Sequence, residues 1–393
     1  MRKALKHMLL SLVVVAGVVF AGGYAYVQQP KFGQLPEGER QRVIEASPNY
    51  MEGEFRNLVP TPMFADGTSF GSVIVGNLFM NRSGLTPPAP LPTAKTDLKT
   101  LDGATDVVVW LGHSSYFVQL AGKRILVDPV FSAAAAPLPG ANQAFEGTSV
   151  YGAEDMPEID YLLITHDHWD HLDYPSVRAL EPKTRRVVTG LGVGAYFEQW
   201  GYPEEKILEA DWFGVVEPDP GVAIHVLPAR HYSGRLLTRN KTLWSAFALD
   251  AGGRRIFFSG DSGSGPHFAD IGKRFGGFDL AVLEIGQYDS RWPYIHMTPE
   301  EAAQAAEALG ARALLPAHVG KFAIARHSWD EPFRRIVTAS DGKNYKLLTP
   351  RIGDAVDIGS GTQHFAQWWE AQVWHGRSDI DSRSMDHASR ESQ

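Results

Sequence analysis

Ten residues, Ile164-Thr165-His166-Asp167-His168-Trp169-Asp170-His171-Leu172-Asp173, constrain this chain more than any others. Three histidines and an aspartate fall within six positions, spaced H-x-H-x-D-H. The apolar stretch Tyr161 to Thr165 predicts a buried strand that delivers the cluster onto a loop. Imidazole nitrogen and carboxylate oxygen suit zinc and other borderline divalent ions. Four candidate ligands exceed what one catalytic ion needs if a position is to stay open for water, so the run fits two adjacent ions better. The chain must therefore fold so that other segments complete a site around this loop.

Composition narrows what those segments are. There is no cysteine among the 393 residues, which removes disulfides, thiolate nucleophiles and thiolate metal sites. Any metal must be held by His, Asp, Glu and water. A formal net charge of −8 offers no general basic field for nucleic acid. An anionic substrate remains compatible, because bound ions dominate local charge. Hydrophobic residues make up 44% of the chain, enough for a core of ordinary size.

The N-terminus carries Arg2, Lys3 and Lys6, then a run from Met8 to Val27 without a charge. Twenty helical residues span roughly 30 Å, the thickness of a bilayer core. The basic cap, residues 1–7, should stay cytoplasmic and place the rest outside, in the periplasm or beyond. Residues 8–27 read as an inner-membrane anchor or as a signal peptide cleaved after Ala21. The length of the apolar run favours the anchor. Residues 28–105 are punctuated by proline and glycine and read as an extension and linker, with one short helix over Glu37 to Ala46. A main domain is expected over 106–356, and a polar, partly disordered tail over 357–393.

Within the main domain, strands are predicted at Asp106–Leu111, Tyr116–Leu120, Arg124–Val127, Arg186–Thr189, Val222–Leu227, Leu243–Asp250, Arg254–Ser259, Leu280–Ile285 and Ala313–Pro316. Helices are predicted at Tyr174–Leu180, Thr298–Leu309 and Asp330–Ala339, the second opened by a Thr298/Glu301 capping box. Further ligand types stand where strands run out: His231, Asp261 and His318.

The ordered set H-x-H-x-D-H, His, G-D-S-G and His resembles the metallo-β-lactamase superfamily of hydrolases. Trp110-Leu111-Gly112-His113, Asp128-Pro129-Val130-Phe131, His171-Leu172-Asp173-Tyr174, Gly272-Lys273-Arg274-Phe275-Gly276 and His296-Met297-Thr298-Pro299-Glu300-Glu301-Ala302 further resemble the N-acylphosphatidylethanolamine-hydrolysing phospholipase D family. The resemblance, over roughly 106–353, implies an α/β fold, a four-layer αββα sandwich. It implies one metal held by His166, His168 and His231, a second held by Asp170, His171 and His318, and Asp261 bridging them. Zinc is the expected ion; manganese or iron would accept the same donors.

Other residues take supporting parts. Asp128 can orient a ligand imidazole. His113 sits in a turn near the site, and the resemblance puts His296 beside the substrate, able to protonate a leaving alkoxide. Gln287, Tyr288 and Arg291 are candidate pocket residues. Asp167 and Asp173 are either supporting acceptors or solvated loop carboxylates. Trp169 and Trp292 are aromatic groups placed to receive an acyl chain. The expected activity is phospholipase D-type hydrolysis of N-acylphosphatidylethanolamine or a related lipid through a metal-bridging hydroxide. The alternatives are a lactonase or phosphatase on a soluble metabolite, similar to ascorbate-phosphate lactonases, and a non-catalytic metal-binding envelope protein. The oligomeric state is not encoded in these patterns.

Overall fold

The structure is a computed structural model that describes residues 2–80, 82–235 and 238–371. Helix α1 spans Arg2–Val27, and a short helix α2 spans Gly38–Glu45. A two-stranded hairpin follows, β1 (Tyr50–Met51) and β2 (Glu54–Phe55), then helix α3 (Phe70–Leu78). The first half of the main domain runs β3 (Val107–Gly112), β4 (Ser115–Leu120), β5 (Lys123–Val127), β6 (Ile159–Ile164), α4 (Tyr174–Leu180), β7 (Thr184–Gly190), α5 (Gly194–Gln199) and β8 (Ile207–Ala210). The second half runs β9 (Val215–Asp219), β10 (Val222–Leu227), β11 (Ala246–Ala251), β12 (Arg254–Phe258), α6 (His267–Phe275), β13 (Leu280–Glu284), α7 (Pro299–Ala308), β14 (Ala313–Ala317), α8 (Glu331–Ala339), β15 (Lys346–Leu347) and β16 (Ala355–Asp357).

The strands form two seven-stranded sheets, ordered β16-β3-β4-β5-β6-β7-β8 and β15-β14-β13-β12-β11-β10-β9. Strand side chains alternate between two apolar environments, as a pleat buried on both faces requires. Tyr116, Val118, Ile125, Val127, Tyr161 and Leu163 face the second sheet. Phe117, Leu126, Leu162 and Ile164 face α4 and α5, where they meet Val177, Leu180 and Phe197. On the far side, α6 and α7 cover the second sheet through Phe268, Ile271, Ala302 and Ala306. The result is the αββα sandwich, with the ends of both sheets opening onto one cleft.

Three features depart from the sequence reading. Helices α3, α5 and α6 and strands β8 and β9 were not anticipated. The strand expected from Leu243 begins only at Ala246, because Leu243 and Ser245 donate backbone hydrogen bonds to Leu191 and Thr165 of the first half. The tail expected to be polar past Asp357 places Trp368 and Trp369 in the core, with Trp369 stacked on Phe333 of α8. The disorder expected over 376–393 falls outside the described residues.

Candidate metal centre

The loop after β6 is buried with its ligand side chains turned to one point. His168 Nδ1 lies 2.9 Å from His166 Nε2 and 3.2 Å from His231 Nε2. In His166 and His231 those nitrogens present lone pairs, because the ring's other nitrogen is already committed. His231 Nδ1 donates to the carbonyl of Ile295 at 2.9 Å. The Thr165 hydroxyl donates to Asp128, so its oxygen accepts from His166 Nδ1 at 3.0 Å. His171 Nδ1 likewise bonds Asp128 Oδ2 at 2.7 Å, which leaves Nε2 facing inward. Fixing a tautomer through the outer nitrogen is how proteins prepare imidazole ligands.

Asp261 stands between two donor groups. Its Oδ2 lies 3.8 Å from His166 Nε2 and 3.7 Å from His231 Nε2. Its Oδ1 lies 3.1 Å from His171 Nε2 and 3.0 Å from His318 Nδ1. Asp170 Oδ2 adds to the second group, 3.7 Å from His171 Nε2. In each of two sets, His166/His168/His231/Asp261 and His113/Asp170/His171/His318, the ligand atoms lie within 4.8 Å of one another. His171 Nε2 and Asp261 Oδ1 are buried without a hydrogen-bond partner. Such orphaned atoms are costly unless something ligates them. The donor chemistry of the two sets, six imidazoles and two carboxylates, fits divalent metal.

Electrostatics agree for four of the imidazoles and differ at His171: burial would lower it, but the carboxylates of Asp261, Asp170 and Asp128 raise it well above the usual histidine value. Burial, followed by the neighbouring imidazoles, holds His166 and His231 well below the usual histidine value. Burial and His113 do the same for His318. Burial lowers His168 to about 4. Neutral imidazole is the form that coordinates. Burial alone would push Asp170 up, but the His171 and His113 imidazoles hold it well below the usual carboxylate range.

The supporting residues separate. Asp128, at a positive φ of 42°, accepts from the Thr165 amide and hydroxyl and from His171, so it braces the loop as well as the ligand. His113, also at positive φ, bonds Asp170 Oδ2 at 2.9 Å. Strained backbone of this kind clusters where function over-determines geometry. Gly260 keeps Asp261 close to the loop: a Cβ there would meet Thr165 Cβ at 2.9 Å. Asp167 turns away, taking bonds from Tyr196, Thr242 and the Gly234 amide. Asp173 caps α4 through the Ser176 amide. His296 lines the cleft and bonds Glu284 through Nδ1 at 2.7 Å.

Glu284 ends β13 and is fully buried. Burial pushes it well up, against the Ser262 and Met297 amides that bond its Oε1. Burial also lowers His296. Both directions favour an uncharged pair that shares the hydrogen bond between Glu284 Oε2 and His296 Nδ1.

Gln287, Tyr288 and Arg291 do not reach the cleft. The Gln287 amide is spent on the backbone of Phe322, Ile324 and Ala325. Tyr288 bonds Glu331 and stacks on His327. Arg291 pairs with Asp289. Trp292 is likewise occupied, donating to the Gln287 carbonyl. Trp169 does line the cleft, with Phe32 against its edge and the Arg235 guanidinium over its face.

The cleft holds about 230 Å³, with His168, Asp170, Asp261, His296 and Arg239 among its walls. Sequence reasoning missed three of the residues that shape it. Glu284 was signalled only by a lone acid ending an apolar run. Arg239 lies over the Tyr232 ring and forms no ion pair among the described residues. Asn57 brackets the His231 backbone, donating to its carbonyl and accepting from its amide. No local pattern announces a partner 174 positions away.

A family model described as the beta-lactamase superfamily domain matches residues 123–319. An uncharacterized protein of Mycobacterium tuberculosis is 37% identical over 331 residues, 83% of this chain and 88% of its own length. An N-acyl-phosphatidylethanolamine-hydrolyzing phospholipase D 1 of Caenorhabditis elegans is 30% identical over 281 residues, 67% of this chain and 75% of its own. Among solved structures, the isothiocyanate hydrolase from Delia radicum gut bacteria superposes with a TM-score of 0.50 at 17% identity. That match covers 64% of this chain and 98% of the other, and bears on the fold.

Proposed function

We propose that this chain, which belongs to the beta-lactamase superfamily of metal-dependent hydrolases, hydrolyses the phosphodiester of an N-acylated phosphatidylethanolamine or a related lipid. The observation that carries the reading is Arg239, a guanidinium with no carboxylate partner among the described residues, on the wall of a cleft that also presents the donors His168, Asp170, His231, Asp261 and His318. Arginine without a counter-ion beside a hydrolytic centre is suited to a substrate oxyanion. The activity for which the Caenorhabditis elegans relative is named points to the same bond. The lipid part draws support from α1, whose stretch Lys3–Val27 is apolar and long enough to cross a bilayer and stands exposed up to Ala25. On this reading α1 anchors the chain in the inner membrane, with the catalytic domain on the outer side.

His166, His168 and His231 would hold one divalent ion, and Asp170, His171 and His318 a second, with Asp261 shared. Zinc suits these donors, as would manganese or iron. When bound, such ions lower the pKa of coordinated water and polarise a phosphoryl oxygen. The chain's own residues do the rest. Arg239 orients the phosphodiester by a charge-assisted hydrogen bond. His296 offers its Nε2 proton to the departing alkoxide, and Glu284 re-supplies the ring through Nδ1.

Purified full-length protein, loaded with zinc in mixed micelles of N-acylphosphatidylethanolamine, should release phosphatidic acid. Arg239→Ala should lower kcat/KM about 10- to 100-fold, the loss of one hydrogen bond to a charged group. No phosphatidic acid, with turnover of a lactone instead, would overturn the assignment in favour of a soluble-metabolite lactonase.

A further inference from the structure

Helix α3 is out of place on a soluble surface. Phe70, Ile74, Val75 and Phe79 all point outward, Phe79 with 84% of its surface exposed. No charged residue stands between Asp66 and Arg82. A contiguous apolar face of this kind marks an interaction site. At nine residues, α3 rises roughly 14 Å, too short to cross a bilayer but sufficient to lie along its interface.

Its position identifies the occupant. The end of α1 is pinned to one rim of the cleft: the Tyr26 hydroxyl and Lys31 Nζ both donate to the carbonyl of Pro137, which lines the cleft. The next residue, Leu138, is exposed. Helix α3 is fastened to the segment after β14 and to the loop after β13, where Asn77 Oδ1 accepts from Arg326 and Arg291. Ile324, two positions before Arg326, lines the cleft, and Met63, upstream of α3, contacts Arg239. Arg326 is exposed and forms no ion pair among the described residues, as suits a cation at the headgroup level.

We propose that α3 and Leu138 form a second membrane-contact surface, so that the cleft opens onto the bilayer that α1 crosses and lipid enters from within it. The entry route rests on the lipid reading above; the bilayer contact does not.

The chain lacks cysteine, so single-cysteine spin labels can be placed in the full-length protein. Val75→Cys, Phe79→Cys and Leu138→Cys would be compared with Lys273→Cys on α6, in vesicles of phosphatidylcholine and phosphatidylglycerol. Labels at 75, 79 and 138 should relax several-fold more with oxygen than with an aqueous nickel chelate, and the label at 273 the reverse. Nickel-accessible labels at 75 and 79 would overturn the proposal. Dipolar coupling between labels on two chains would also overturn it, by giving the face to a second copy. The paired change Val75→Glu/Phe79→Glu should cut turnover of vesicle lipid roughly tenfold and leave a soluble chromogenic phosphodiester unaffected; equal loss on both would overturn the entry route. Failure of the lipid reading itself looks different: wild type leaves vesicle lipid intact while the labels still sit in the bilayer.

Discussion

Strands β3 to β8 and β10 to β15 follow one pattern, two antiparallel pairings and then three parallel ones. The equivalent points of the two halves face the same cleft but contribute differently. The turn after β3 carries His113, which stands in one donor set but is bonded to that set's own carboxylate, Asp170; the connection after β10 carries His231, whose ring is held by the Ile295 carbonyl instead. After β5 stands Asp128, one step behind His171; after β12 stands Asp261, between both donor groups. The first half concentrates its donors in one loop and braces that loop from behind. The second half brings one donor from each of three strand ends. A donor set assembled this way depends on tertiary packing, whereas the loop depends mainly on its own braces.

The largest test falls on the residue that joins the halves. Asp261→Ala should lower kcat/KM on the order of 10³-fold, the equivalent of several kcal/mol of lost metal stabilisation. Elemental analysis should show metal below the wild-type stoichiometry. A variant with full metal content and activity would mean the two donor groups work separately.

Next comes Glu284, which corresponds to no brace of a ligand. Glu284→Gln should reduce kcat about 10²-fold through the loss of a supported proton donor, with bound metal unchanged. Loss of metal instead would move Glu284 into the same class as Asp128. Asp128→Asn should show the opposite split: a metal affinity weaker by about 10- to 100-fold, read by chelator competition, because an amide can turn its N–H toward His171. Unchanged affinity would remove the bracing role from the first half.

The same contrast explains what was legible beforehand. The loop His166 to His171 could be read because its spacing is local and a strand precedes it. His231, Asp261 and His318 were recognisable by the order of motifs, since each stands at a strand end. Glu284 was not, because a lone acid after four apolar residues looks like a solvated strand terminus until the fold buries it. Asn57 and Arg239 belong to segments without periodicity, positioned only by long-range packing. Gln287, Tyr288 and Arg291 failed for the converse reason: closeness to His296 in sequence says nothing about direction, and their partners lie in the segment after β14, on α8 and, for Arg291, at Asp289 and at Asn77 of α3. Trp368 and Trp369 were hidden by the polar residues around them. The layers followed from the family resemblance and the central strands from their apolar runs, but edge strands β8, β9, β15 and β16 carry too little apolar pattern to declare themselves.

The smallest effect expected is at Asp167, and it separates the loop's two acids. Asp170 faces the donors, whereas Asp167 is buried facing away from them and ties the loop to α5 of the first half and to the segment between β10 and β11 of the second. Its Oδ1 accepts from the Gly234 amide at 2.7 Å; its Oδ2 accepts from Tyr196 at 2.8 Å and Thr242 at 3.0 Å. An asparagine retains one acceptor oxygen and sets an N–H₂ against a donor at the other position. Asp167→Asn should therefore cost about 1–3 kcal/mol of stability, the range for a buried group left unpaired. Thermal unfolding would measure that loss, while metal content and kcat should stay within roughly twofold. If the variant instead loses metal, the loop does not hold its own geometry. Its donors would then depend on the second half as much as His231, Asp261 and His318 do.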